Sequence, residues 1–517
     1  MAINQRKAGT ILSYVSLILT NTITLFYTPL FLSGLGQREY GLFGTASSIT
    51  SYLGLLSFGI AGAYIKFNME YRMAGDKDGE KRLNGMFLTV YTVLSFLVLI
   101  VGGVLVLLAP SIFGSNYTST ELVDIQIIMM CTIVNTMVTF IFNVIAMALQ
   151  AYEEFIFIRI CMLISGILTP VLNLVLVYGF NGKAVSISFG TLAISVAQYM
   201  AFFVYAKARL KIGFVFKGME KKVLKAVFIF SSYLLLGSIT DMITNSTDSV
   251  ILGIVSGPVA VAVYTVGSHF KNYFLTFSTS VSNVFAAQVN KVVASCKTGS
   301  IDKETMDNEL NAIFQKIGRV QNLIVSLLLI GFIFVGQQFI NLWAGTEYND
   351  AYYIALFLFI GLYVPCFQNV GLEIQKAKNL HKARSVVYLL ISIFNIILTI
   401  PLAIIWGGIG AAFATCLCML GGNFIFMNIY YHKKVGLNII EFWKRILKLF
   451  PGYIVAIIAG VLVKMFLPIN NYMQLLFGVL IILIVYIVAV WFLSMNKYEH
   501  DLIKTPLRKI MKKLKCK

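Results

Sequence analysis

The chain has 517 residues, 58% of them hydrophobic and 12% charged, with a formal net charge of +19 and a mean hydropathy of +0.83. A water-soluble core cannot absorb that much apolar surface, so the composition excludes an ordinary globular enzyme and makes the bilayer the solvent. The excess of Lys and Arg raises nucleic acid as a partner, and the placement of those residues decides against it.

Residues 1–9 carry Arg6 and Lys7 ahead of an apolar stretch longer than about 20 residues that lacks a small-residue cleavage pattern, which reads as a first spanning helix and not a removed signal peptide. Apolar runs then predict spans near 9–32, 40–64, 84–109, 122–149, 156–179, 184–206, 223–254, 258–288, 313–341, 351–375, 384–405, 408–430, 448–466 and 472–494. At 1.5 Å per residue, about 20 residues cross roughly 30 Å of hydrocarbon. The expected fold class is all-α: a polytopic membrane protein of about 14 transmembrane helices.

Basic residues fall in alternate connections: Arg6 and Lys7; Lys66, Arg72, Lys77, Lys81 and Arg82; Lys207 to Lys225; Lys291, Lys297 and Lys303; Lys376 to Arg384; Lys433 to Lys448; Lys497 to Lys517. The opposite connections hold only Arg38, Lys183 and Lys464. The positive-inside rule therefore places both termini in the cytoplasm and calls for an even number of spans. The net charge is then mainly topology and contact with membrane lipids, the tail 507–517 having Leu, Ile and Met interleaved among its lysines in a form suited to anionic headgroups. No nucleic acid partner is expected. The seven cysteines fall mostly in apolar runs without C-x-x-C pairing and read as small buried hydrophobes, Cys516 in the tail excepted.

An internal repeat is visible at an offset of 220 to 231 residues. Leu83-Asn84-Gly85-Met86-Phe87 resembles Leu310-Asn311-Ala312-Ile313-Phe314, Gly114-Ser115-Asn116-Tyr117 resembles Gly345-Thr346-Glu347-Tyr348, and Tyr40-Gly41-Leu42-Phe43 is echoed by Val261-Ala262-Val263-Tyr264. Order and spacing together predict two parallel six-helix repeats: a bundle over 1–210, a second over 211–435, two additional helices over 436–496 and a basic cytoplasmic tail over 497–517. Like-oriented repeats of this kind enclose a central path, which is a transporter's plan.

With the Leu35-Gly36-Gln37-Arg38-Glu39-Tyr40-Gly41-Leu42-Phe43 segment, the Gly345-Thr346-Glu347-Tyr348 segment, two six-helix halves and a basic tail, the chain resembles the oligosaccharide-lipid flippases, also called polysaccharide or O-unit flippases, of the multidrug/oligosaccharidyl-lipid/polysaccharide exporter superfamily. The resemblance covers nearly the whole length. It implies two bundles alternating between inward-open and outward-open states, a cationic lumen for an undecaprenyl-pyrophosphate-linked glycan, a place in the bacterial inner membrane, and a polysaccharide polymerase as a candidate partner.

Enzyme signatures are missing: no G-x-x-x-x-G-K-[ST], H-E-x-x-H or G-x-S-x-G occurs, so no cofactor is expected and any energy comes from ion gradients, H+ or Na+, the membrane potential or consumption of product. Asp241 and Asp248 in span 7 and His269 and Lys271 in span 8 lie deep, where a charge must face protein or water. Ser238, Asp241, Thr244, Asn245 and Asp248 share one helix face by their spacing of three and four; Ser13, Ser16, Thr20, Thr24, Tyr27 and Thr28 make a milder stripe on span 1, for which back-bonding to the helix is an equal reading.

Taking Ser256 as the centre of the turn between spans 7 and 8, Asp241 precedes it and Lys271 follows it by 15 residues, at matching depth. The two are candidates for an ion pair, either static or exchanged for a pyrophosphate at Lys271 while Asp241 takes a proton or cation. Substrate contacts are thus expected at Lys271 and Asn245, with Lys316 and Arg319 as an entrance for phosphate, Lys66 near a cytoplasmic end and Arg38 on the outer loop; ion coupling is expected at Asp241, Asp248 and Glu373. The plainer reading makes Lys66, Lys316, Arg319 and Glu373 interfacial anchors and Arg38 a loop contact. Two rivals stand: a cation-coupled drug exporter of the same fold using Asp241 and Asp248, and a membrane glycosyltransferase or polymerase, for which the outer loops are short.

Overall fold

The computed structural model describes residues 5–57, 60–114, 116–218, 221–502 and 504–505, and among these it holds helices and no strand. The long helices are α1 (Gln5–Ser51), α2 (Ala61–Met73), α3 (Lys77–Phe113), α4 (Ser119–Ala151), α5 (Phe155–Leu174), α6 (Ala184–Ala208), α7 (Lys221–Val255), α8 (Gly257–Lys297), α9 (Lys303–Trp343), α10 (Asp350–Phe367), α11 (Asn369–Ala377), α12 (His381–Met419), α13 (Ile439–Leu447), α14 (Phe450–Phe466) and α15 (Tyr472–Leu493). Five of their starts carry side-chain caps that satisfy amide donors left over at a helix end. Asp76 accepts from Gly79 N–H at α3, Asp302 from Thr305 N–H at α9 and Asn471 from Gln474 N–H at α15.

Nine described helical runs are long and apolar enough to cross a membrane, ten if the bent pair α13 and α14 counts as one crossing. That is fewer than the expected fourteen, and two of the runs explain much of the difference. Leu19–Met73 and Val386–Val435 span 55 and 50 residues, more than twice what roughly 30 Å of hydrocarbon requires. Each contains a glycine with non-helical backbone, Gly36 at φ 77° and Gly407 at φ 55°, where the sequence reading placed a connection between spans. The outward side of the helices is apolar: Phe26, Leu107 and Phe492 are 70%, 77% and 78% exposed. Exposure of that kind along many helices is tolerable only in lipid, and the chain is a multi-pass membrane protein.

By internal packing the chain divides into two compact units, Met1–Thr265 with Ala403–Gly408, and Val266–Leu402 with Ile409–Lys517. The first is built on α3 against α4, α4 against α6, and α1 against α5. Its core holds Tyr64, Phe87, Tyr91 and Phe113. Gly41 of α1 meets Pro258 so closely that a Cβ would fall 1.9 Å from the Pro258 carbonyl oxygen, so only glycine fits there. In the second unit α14 packs on α15 and α9 on both, around Phe314, Phe367 and Phe442.

The paired motifs of the internal repeat perform the same local task in their own units. Asn84, in the first turns of α3, donates to the Gly213 carbonyl beyond α6 at 3.1 Å. Asn311, near the start of α9, donates to the Gly436 carbonyl beyond the α12 run at 3.0 Å. Phe87 and Phe314, three residues on from each asparagine, are buried at 1% and 0%, and the loop tyrosines Tyr117 and Tyr348 are likewise buried.

Candidate functional site

In the first unit, the polar face expected on α7 is divided. Asp248 is 2% exposed and accepts a hydrogen bond from the Tyr264 hydroxyl. Ser238 and Asn245 are exposed, and the side chains of Asp241 and Thr244 lie outside the described residues, as does that of Ser13 on α1. Beside Asp248, the Tyr52 and Thr247 hydroxyls share a hydrogen bond, and Ser51 donates to Ser246 at 3.0 Å. Ser246 and Thr247 therefore meet the end of α1 and the residue that follows it, while Asp248 is held from α8. Sequence reasoning missed Ser51, Tyr52 and Tyr264. For Tyr264 the signal is in the spacing: Asp248 and Tyr264 lie eight residues either side of Ser256, as Asp241 and Lys271 lie 15 either side. On α1, Thr24 donates to the Thr20 carbonyl at 2.9 Å and Thr28 to the Thr24 carbonyl at 2.7 Å, so these hydroxyls bond back to their own helix.

In the second unit, Lys271 of α8 is 6% exposed. The preceding residue, Phe270, packs among the rings of Phe332, Phe339 and Trp343 with centroids 5.6, 5.8 and 5.5 Å away. An ammonium so deeply buried must be compensated by polar groups or by an anion. His269 is half-buried. The pairing of Lys271 with Asp241 falls on a side chain outside the described residues.

The remaining candidates divide between ion pairs and open positions. Arg38, 54% exposed, binds Glu121 in bidentate fashion at 2.6 and 2.8 Å. Glu121 also closes the start of α4 by a capping box with Thr118, so Arg38 ties α1 to that cap and takes the loop-contact role. Glu373 accepts from Lys376 at 2.8 Å on α11, a surface pair one helical turn apart. Lys66 is exposed, its ammonium 5.5 Å from the centroid of the Phe67 ring.

Arg319 needs correction as an entrance residue. Its guanidinium binds both carboxylate oxygens of Glu499 at 2.6 and 3.1 Å, donates to the Ser494 carbonyl at 3.1 Å and also to the Arg445 carbonyl. Arg319 and Glu499 side chains are 5% and 2% exposed, which makes the group a buried clamp joining α9, α13 and the segment after α15. Lys316, one turn earlier, is exposed, lies 5.3 Å from the centroid of the Tyr498 ring, and lines a pocket of about 420 Å³ with Gln288 and Glu309. Of the two proposed entrance residues, the geometry leaves Lys316 in an open position and commits Arg319 to structure.

Glu499 was missed by the sequence reading although its signal is local. Asn496-x-x-Glu499 is a capping box: Glu499 N–H donates to Asn496 Oδ1 at 3.0 Å, and Asn496 N–H to Glu499 Oε2 at 2.9 Å. Among the described residues no group of three or more His, Cys, Asp or Glu gathers as a metal site. The basic tail 507–517 lies outside the described residues.

A family model described as "Polysaccharide biosynthesis protein" matches residues 7–292. No curated protein matches the chain. Among solved structures the fold is similar to that described as "Lipid II flippase MurJ, inward closed conformation", with a TM-score of 0.73 and 17% identity over 95% of this chain and all (100%) of that one. It is also similar to an inward-facing multidrug resistance MATE family transporter of the MOP superfamily, with a TM-score of 0.60 and 14% identity over 82% of this chain and 98% of that one. The Vibrio cholerae MATE transporter VcmN in its bent form gives 0.51 and 15% over 84% and 97%. At these identities the likeness is one of fold alone, a helical fold shared with MurJ and the MATE proteins.

Proposed function

The chain belongs to the polysaccharide biosynthesis protein family, and from that premise we propose that it is a flippase carrying an undecaprenyl-pyrophosphate-linked oligosaccharide from the cytoplasmic to the outer leaflet by alternating access. The observation that carries the proposal is Lys271, a cation held 6% exposed on α8, a helix that the sequence places across the membrane, in a chain from this family. Sugars cannot pass the acyl region unaided, because every hydroxyl loses its water partners, so a polar path must replace water while the polyprenyl tail stays in lipid. In this reading the Lys271 ammonium holds the pyrophosphate.

Outward movement of an anionic headgroup runs with an inside-negative potential, favourable by about 2.3 kcal/mol per charge per 100 mV. We place the protein in the bacterial cytoplasmic membrane with both termini in the cytoplasm, on the alternation of Lys and Arg, and a polymerase that consumes the flipped unit is the proposed partner. The test is glycan export in a strain lacking the chromosomal copy. Lys271→Ala abolishes export at normal protein level and Lys271→Arg keeps part of it; full export by Lys271→Ala removes the proposed role. A second reading is favoured by one observation, the buried Asp248 carboxylate held by Tyr264: a cation-coupled drug exporter would use such a group for a proton or an organic cation. Binding of an organic cation, lost in Asp248→Asn, selects that reading.

A further inference from the structure

The second unit contains a basic pocket that the flippase reading does not use. Lys297 from the end of α8, Lys303 and Asp307 from the start of α9, Lys378 after α11, and Lys433 and Lys434 at the end of the α12 run line a cavity of about 480 Å³. In the sequence these residues lie in three separate connections, all three on the side that the alternation of Lys and Arg assigns to the cytoplasm. Folding brings five ammonium groups against one carboxylate.

The carboxylate is already engaged. Lys378 donates to Asp307 Oδ1 at 2.6 Å and to the Val435 carbonyl at 2.8 Å, and its side chain is 13% exposed. Among the described residues no ion pair engages Lys297, Lys303, Lys433 or Lys434. The wall between them is fixed: Gly436 turns with φ 82°, and Asn311 ties that turn to α9 by donating to the Gly436 carbonyl while accepting from Asn438 N–H at 2.6 Å. Four like charges lining one concavity make it attractive to an anion, and the turn that follows Lys433 and Lys434 is held to α9 by hydrogen bonds.

We propose that this pocket binds a phosphate-bearing anion of two or more charges, presented either on a lipid headgroup or free in the cytoplasm. Lysine ammonium groups suit phosphate as point charges around a group with several acceptor oxygens. The volume is within the range of small-ligand sites and exceeds the needs of a single chloride. The proposal does not depend on Lys271 or on flipping.

The test uses the full chain purified in detergent, with inorganic pyrophosphate as the soluble probe, titrated by calorimetry at fixed ionic strength. Lys433→Gln/Lys434→Gln removes two of the four free ammonium groups at exposed positions and is expected to weaken pyrophosphate binding by about tenfold or more. Lys433→Arg/Lys434→Arg keeps the charge and is expected to stay within about threefold. Lys207→Gln/Lys211→Gln, the same charge change in the first unit, is expected to stay within about twofold if binding is local.

The lipid arm uses nanodiscs of phosphatidylcholine with phosphatidic acid, with retained lipid counted by native mass spectrometry. Phosphatidic acid retained by the wild type and lost from Lys433→Gln/Lys434→Gln, without pyrophosphate binding, assigns the site to a headgroup; pyrophosphate binding lost in that variant assigns it to a soluble anion. Equal weakening by the Lys207/Lys211 variant, or no loss of either probe in the Lys433/Lys434 variant, overturns the proposal.

Discussion

Glu499→Ala tests whether the Arg319 clamp is structural. The substitution removes both charge-assisted bonds to Arg319, at 2.6 and 3.1 Å, and the side-chain half of the cap at Asn496. The guanidinium keeps only the Ser494 and Arg445 carbonyls and stays buried as an uncompensated cation. Breaking a buried pair by removing one partner costs about 3–5 kcal/mol. For a cooperative unit of about 150–250 residues, each kcal/mol lowers Tm by roughly 2–4 °C, so the expected drop is roughly 6–20 °C. The assay is thermal unfolding of the purified full chain in detergent, followed by tryptophan fluorescence. The double variant Arg319→Met/Glu499→Leu replaces the pair by apolar groups of similar volume and is expected to recover most of the loss, since desolvation of the pair offsets much of its attraction. That variant is also expected to retain glycan export, which separates a clamp from a phosphate-capturing entrance. A Glu499→Ala protein melting within about 2 °C of wild type refutes the reasoning.

Two further substitutions read the other polar contacts. Asp248→Asn preserves the shape and an acceptor for the Tyr264 hydroxyl while removing the charge; unchanged stability with lost export identifies a coupling carboxylate, whereas unchanged export at every external pH identifies a structural bond. Asn84→Ala leaves the Tyr64 hydroxyl and the Gly213 carbonyl without their partner in a fully buried position, at a cost of about 1–3 kcal/mol; Asn311→Ala, at a half-exposed position where water can replace the lost bonds, is expected to cost less than half as much, and equal melting shifts would show that burial does not set the difference.

Composition and hydropathy were enough to identify a helical membrane chain, because apolar length is a local property of the sequence. Two of the connections were legible as well: the non-helical backbone at Gly36 and Gly407 separates one helix from the next where the sequence places a connection. Charged residues were legible by depth and not by partner. The depth rule found Lys271 and Asp248 as buried groups, and the mirror about Ser256 holds for Asp248 with Tyr264. Arg319 was read as interfacial because its nearest carboxylate in space, Glu499, is 180 residues away, and no periodicity reports a contact of that separation.

Arg38, held in a loop contact as its plainer reading expected, and Arg319, expected at an entrance and found in a clamp, have one physical feature in common. Arg38 binds the N3 glutamate of the Thr118 capping box, and Arg319 binds the N3 glutamate of the Asn496 capping box. A glutamate in that position is held by its own backbone and carries its charge at the positive end of a helix, which pre-orders it for a bidentate arginine at small further entropic cost. Each arginine thereby links a long helix to the start of another by a contact that lipid cannot replace. The four lysines of the basic pocket stand outside such pairs among the described residues, and the anion-binding experiments therefore vary lysines of that pocket and not the arginines.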